Sequence, residues 1–166
     1  MNDITTFEEL FVHQLRDLLS VEDQTRHLMP KMAELAQDSD LQKLFQAHSK
    51  ETQKHHARIK ECLESLDAPT RPETCHAMVG LITEADELID SIRDSDVRDA
   101  ALVSMAQRIQ HYEIAGYGTA VAHAKVLGHK DIAKKLEQNL EDEGKTDKKL
   151  TKLAQKKLNS RAMATH

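Results

Sequence analysis

The chain has 166 residues, enough for one domain with a substantial core and short of two. Five glycines, three prolines and 3% aromatic residues leave too few turn formers for a many-stranded sandwich or barrel, so the fold is expected to be all-α. A net charge of −5 argues against a dedicated nucleic-acid binder, and Cys62 and Cys75 are too few for a disulfide framework or a cysteine-rich zinc site.

The first helix is predicted to open on a capping box, Thr5 to Glu8 or Thr6 to Glu9. Phe7, Phe11, Leu15, Leu18, Met29 and Ala33 recur at helical spacing to about Ala36, with Pro30 as an internal kink. Asp38-Ser39-Asp40 reads as turn and cap. A second helix is expected over about Leu41 to Leu66, ended by Ala68-Pro69-Thr70-Arg71-Pro72.

Pro72 suits the first turn of a shorter third helix carrying Met78, Leu81, Ile82, Leu88, Ile89 and Ile92. Ser95 or Asp96 can cap a fourth helix, with Leu102, Met105, Ala106, Ile109, Gly116, Ala120 and Leu127 as its stripe and Gly128 at its left-handed end. The last helix follows at once, on Ile132, Leu136, Leu140, Leu150, Ala154 and Leu158, and fraying is expected past Asn159. Four long helices in two closely linked pairs, with one long connection between the pairs, predict a single ferritin-like four-helix bundle over residues 1–166 with an additional helix in the crossover.

Charge is unevenly spread. Lys145 to Arg161 holds seven basic residues and one acid, leaving −11 on the remainder. This run reads as a solvated helix face whose cations suit the negative end of the macrodipole, with an anionic partner as the alternative. The start Met1-Asn2-Asp3 carries no basic stretch and apolar run, and no apolar segment approaches 18 residues. A cytoplasmic protein without a membrane or nucleic-acid partner is therefore expected.

The informative positions are acids on apolar stripes. Glu22 lies on the row Leu15, Glu22, Met29, and Glu113 on the row Ala106, Glu113, Ala120. Glu51 lies between His48 and His55, while Glu143 and Asp147 stand four residues apart on adjoining inner rows. Several buried carboxylates converging without compensation would protonate or unfold the bundle, and a pair of divalent cations removes the conflict. Glu22 precedes Glu51 by 29 residues and Glu113 precedes Glu143 by 30, so each helix pair repeats one scheme. The predicted metal ligands are Glu22, Glu51, Glu113, Glu143 and Asp147, with His55 or His48 adding nitrogen. Di-iron and di-manganese bundles use Glu-x-x-His, a pattern this chain approaches without obeying.

The segments Glu22-Asp-Gln24, His48-Ser-Lys-Glu51-Thr52, His111-Tyr-Glu113-Ile-Ala-Gly-Tyr117-Gly and Glu141-Asp-Glu143 with Asp147 resemble the YciF/YciE group of ferritin-like bacterial stress-response proteins. The resemblance covers about residues 4–158. It implies a rubrerythrin-like bundle, a homodimer and a dinuclear metal site, and no established reaction. The chain lacks a rubredoxin-like cysteine pair, so a redox reaction would need an external electron donor.

Two functions from different classes follow: a centre of two divalent ions, iron or manganese, that reacts with peroxide or dioxygen, and a non-catalytic dimeric bundle acting through its surface. A storage cage is a third. No catalytic residue is singled out by the sequence.

Overall fold

The computed structural model describes residues 3–164; Met1 and Asn2, part of the N-terminal reading, lie outside them. The helices are α1 (Phe7–Leu35), α2 (Ser39–Ser65), α3 (His76–Ser91), α4 (Ser95–Val126) and α5 (Lys130–Leu153), and no strand occurs among the described residues. A π-helical turn, Ala154–Leu158, leads from α5 into α6 (Asn159–Ala164). The chain is thus helical beyond Asn159, where fraying was expected.

Local chemistry fixes the ends. Thr6 Oγ1 accepts from Glu9 N at 3.1 Å and Glu9 Oε2 accepts from Thr6 N at 2.9 Å, so the second of the two capping boxes is the one formed. Pro30 stays inside α1. Asp38 caps α2 through the amides of Asp40 and Leu41, and Asp94, one residue before the expected cap, does the same for α4. Gly128 closes α4 at φ 82°, a conformation that glycine adopts without strain.

The third helix begins at His76, four residues beyond Pro72, which stays in the connection. Tertiary anchors hold those residues extended. Glu73 N donates to Arg16 O at 3.2 Å, Arg16 Nε donates to Arg71 O at 3.0 Å, and Cys75 N donates to Ser20 Oγ at 3.0 Å. Such bonds to α1 replace those that a first helical turn would leave unmade.

Around the bundle the order is α1, α2, α5, α4, with each neighbouring pair in contact. The hydrogen bonds at the ends give directions. Asp99 of α4 accepts from Gln37 N and Asp38 N, both at 2.8 Å, so α2 and α4 start at the same end. His129, before α5, meets Glu8 of α1 at the other end. Neighbours are therefore antiparallel, α2 and α4 run parallel on a diagonal, and the crossover climbs the length of the bundle with α3 packed on α4 and α1. This is the ferritin-like arrangement.

The apolar core has two parts. One end is filled by Phe11, Leu15, Leu18, Ile59, Leu63, Ala120 and Leu136 among others, the other by Met29, Met32, Leu41, Phe45, Met78, Leu102, Ile109 and Leu158 among others. Between them the inward positions are polar: Glu22 and Thr25 on α1, His48, Thr52 and His55 on α2, Gln110 and Glu113 on α4, and Asn139, Glu143 and Thr146 on α5, all buried.

Candidate metal centre

Each helix reaches this layer by a heptad rhythm. On α2 the buried series is Leu41, Phe45, His48, Thr52, His55, Ile59, Cys62, alternating steps of four and three. On α5 it is Leu136, Asn139, Glu143, Thr146, Leu150. The stripe thus places both histidines inside the bundle and turns Glu51 to its flank.

Glu143 sits at the centre. Its Oε1 is 2.9 Å from His55 Nδ1 and its Oε2 is 3.8 Å from His48 Nε2, and Glu22 Oε1 lies 3.4 Å from the same His55 Nδ1. Two ligand groups result, Glu22 with His55 and Glu143, and His48 with Glu113 and Glu143, each with donor atoms within 4.8 Å of one another and every residue buried. Ligands at the ~2.0–2.2 Å metal distances usual for carboxylate and imidazole fall within such spacings.

The donor atoms are held but not consumed. Glu22 Oε2, His55 Nδ1, Glu113 Oε2 and both oxygens of Glu143 are buried without a hydrogen-bond partner, because the short His55 to Glu143 approach lacks hydrogen-bond geometry. The remaining oxygens are anchored. Tyr117 donates its hydroxyl to Glu22 Oε1, and Thr25 Oγ1 donates to Glu113 Oε1 at 2.9 Å. Gln110 Nε2 donates to His48 Nε2 at 2.8 Å, so an ion at that nitrogen would displace the amide.

Each histidine also has an acid at its back. Glu51 Oε2 is 3.6 Å from His48 Nδ1, and Asp142 Oδ2 is 3.5 Å from His55 Nε2, the outer-carboxylate placement common behind metal-bound imidazoles. Thr146 Oγ1 donates to Glu51 Oε2 at 3.2 Å, and Arg58 Nη1 donates to Asn139 Oδ1 at 2.8 Å.

Burial and the crowding of like charges shift the titratable groups of the layer. Burial raises the Glu22 carboxyl above its usual value against the pull of His55, and burial with the charges of Glu143 and Glu22 holds Glu113 well above it. Burial disfavours the His55 imidazolium, yet Glu143 and Glu22 overcome it and push its pKa up to about 10. His48 moves the same way: Glu51, Glu143 and Glu22 outweigh its burial.

Of the residues predicted from sequence, the structure brings together Glu22, Glu113, Glu143, His48 and His55. It places two elsewhere. Glu51 is partly exposed on the flank of His48, outside both groups. Asp147 accepts from Gln107 Nε2 at 2.8 Å and faces His111 Nε2 at 3.3 Å on the α4–α5 surface, away from Glu143's partners. Spacing of four residues from Glu143 turned it off the inner stripe, which steps three residues to Thr146 instead. Thr25, Gln110, Asn139 and Thr146 went unrecognised; their signal was a polar residue at the stripe's own positions.

The family model described as a domain of unknown function, DUF892, matches residues 6–163. The chain belongs to that family. Within the DUF892 family it is similar to protein YciF of Escherichia coli strain K12, 41% identical over 161 residues, which cover 96% of this chain and 97% of YciF. The solved structure of that E. coli stress protein covers 94% of this chain and 99% of its own, with a TM-score of 0.89 and 41% identity. YcfI from Rhodopseudomonas palustris, proposed as a structural protein, gives a TM-score of 0.88 at 43% identity over 90% of this chain and 96% of its own. A Xanthomonas campestris structure at 23% identity shares the fold, with a TM-score of 0.79 over 96% of this chain and 98% of its own. This member of the family has no described helix long and apolar enough to cross a membrane.

Proposed function

We propose that the polar layer holds two divalent metal ions, iron or manganese, and that the protein acts in stress physiology as a dinuclear carboxylate oxidoreductase of peroxide or dioxygen. The supporting observation is the set of buried, unpartnered donor atoms arranged around one shared carboxylate, Glu143. Glu22, His55 and Glu143 would hold one ion and His48, Glu113 and Glu143 the other. A redox-active pair bound there would supply the two electrons that, with two protons from solvent, reduce peroxide to two waters, and an external donor would restore them.

The chain's own groups do the rest. Three carboxylates offset the cationic charge, Tyr117 and Thr25 orient Glu22 and Glu113, and Glu51 and Asp142 steady the imidazole rings. Apolar residues above and below, Leu18 and Met29 among them, limit water.

The test is metal content per chain after purification without nickel affinity or chelator, for the native protein and for Glu143→Ala. About two ions per chain, lost in the variant, support the reading, and peroxide consumption by the Fe(II)-loaded protein then tests the reaction. No bound metal after anaerobic Fe(II) loading overturns it and favours a non-catalytic bundle.

A further inference from the structure

The basic run near the C-terminus is not evenly neutralised. On α5 and beyond it, Lys135 pairs with Glu61 at 2.7 Å, Lys145 with Asp142 at 3.4 Å and Lys157 with Asp38 at 2.5 Å. Lys43 of α2 and Lys149, Lys152 and Lys156 make no ion pair or hydrogen bond among the described residues. These four rim a groove of about 570 Å³ between α2 and the end of α5, with Leu44 and Leu153 half-buried on its floor. Asp40 is the one acid lining it, and Lys157 already engages that side chain at 3.3 Å. The π turn starts in the groove wall, and such turns recur at functional positions.

We propose that this groove is a docking site for an acidic amphipathic helix of a partner protein. A trough between two antiparallel helices accepts a third whose apolar side chains meet Leu44 and Leu153. Lys149, Lys152 and Lys156 stand at steps of three and four residues, the spacing at which a helix laid alongside presents carboxylates on one edge. Charge selects the occupant: four cations without an ion pair, of which Lys149 is drawn toward Glu51, attract an anionic segment locally on a chain of net charge −5. The lining has no aromatic side chain on which bases could stack, and its two leucines are half-buried, where a membrane wedge would expose its apolar side chains fully.

Fluorescence anisotropy on the full chain tests the proposal with a labelled 18-residue peptide carrying leucines at i, i+3, i+7 and i+10 and glutamates along one flank. A scrambled peptide of the same composition, a dT20 oligonucleotide and phosphatidylglycerol vesicles serve as competitors of different chemistry. The expected result is salt-sensitive binding of the registered peptide, at least tenfold tighter than the scrambled one. It should weaken at least tenfold in the triple variant Lys149→Glu, Lys152→Glu, Lys156→Glu with circular dichroism and Tm retained. The milder Lys149→Gln, Lys152→Gln, Lys156→Gln variant should fall between the two. No peptide binding, equal binding of the scrambled peptide, undiminished binding by the variants, or tighter binding of DNA or vesicles each overturns it.

Discussion

Tyr117 and Glu22 meet inside the bundle, the phenol donating to Glu22 Oε1 while Asn139 Nδ2 donates to the same phenol at 3.2 Å. The chain Asn139–Tyr117–Glu22 fixes one carboxylate oxygen and leaves the other unpartnered. Tyr117→Phe removes both bonds without emptying the ring's volume. It should lower the stability of metal-free protein by about 1–3 kcal/mol, the usual cost of stranding a buried polar group. Urea melts of the two proteins measure the difference, and an unchanged midpoint would show that the bond contributes nothing.

Glu113→Gln should act in opposite directions on stability and binding. In the metal-free protein it removes a carboxyl that burial and the charges of Glu143 and Glu22 force to take up a proton on folding, a cost at neutral pH, while the amide oxygen still accepts from Thr25 Oγ1. The thermal midpoint should therefore rise, as expected where function is built on electrostatic strain. Metal content should fall, because a ligand of the group with His48 and Glu143 is neutralised. Calorimetry and elemental analysis on the same samples check both halves, and a lowered midpoint would refute the strain argument.

Helix content, pairing and the crossover were legible because α1, α2, α4 and α5 each carry an amphipathic stripe several turns long. The burial of Glu22, Glu113 and Glu143 was legible for a related reason: they occupy stripe positions where an acid is costly, so each announces itself. Glu51 and Asp147 lie outside the two buried groups because a four-residue offset from His55 or Glu143 departs from the stripe by a fraction of a turn. Only the full series Leu41, Phe45, His48, Thr52, His55, Ile59 shows where α2 faces. The start of α3 was hidden because bonds between α1 and residues 71–75, not local propensity, hold Pro72 out of the helix.

Asp38 joins the ends of three helices, capping α2, accepting from Arg161 Nη1 at 2.9 Å and pairing with Lys157 at 2.5 Å. Burial works against its charge, but the Lys157 ammonium and the amides of Leu41 and Asp40 hold its carboxyl below the usual value. A carboxyl with a depressed native pKa stabilises above its unfolded value, roughly 3.9, and loses that contribution as pH falls through the native one. Asp38→Ala should cost about 0.5–2 kcal/mol at neutral pH as a lost cap. The gap between native and variant should close in acid, as denaturant melts at pH 7 and pH 3 would record; a gap constant across that range would exclude an electrostatic origin.

Neither thiol should react in the folded protein. Burial pushes the Cys62 thiol up to about 11 and raises that of Cys75, whose Sγ lies 3.1 Å from the Tyr112 hydroxyl. Iodoacetamide at pH 8 is expected to leave both unlabelled, and to label both in guanidinium, as mass spectrometry would count. Rapid labelling of the native protein at either position would show an opening that the packed structure does not contain.

The polar layer also divides the molecule mechanically. Each apolar half draws on all four long helices, so neither half is a helix pair that could separate by peeling, and both are threaded by the same four rods. A waist of buried polar groups with unpartnered donor atoms is the natural place for such rods to bow apart, and ions seated there would act as a rivet through all four. Occupancy of that rivet would then govern how far a disturbance at one end, such as a partner leaning on α2 and α5, is felt at the other.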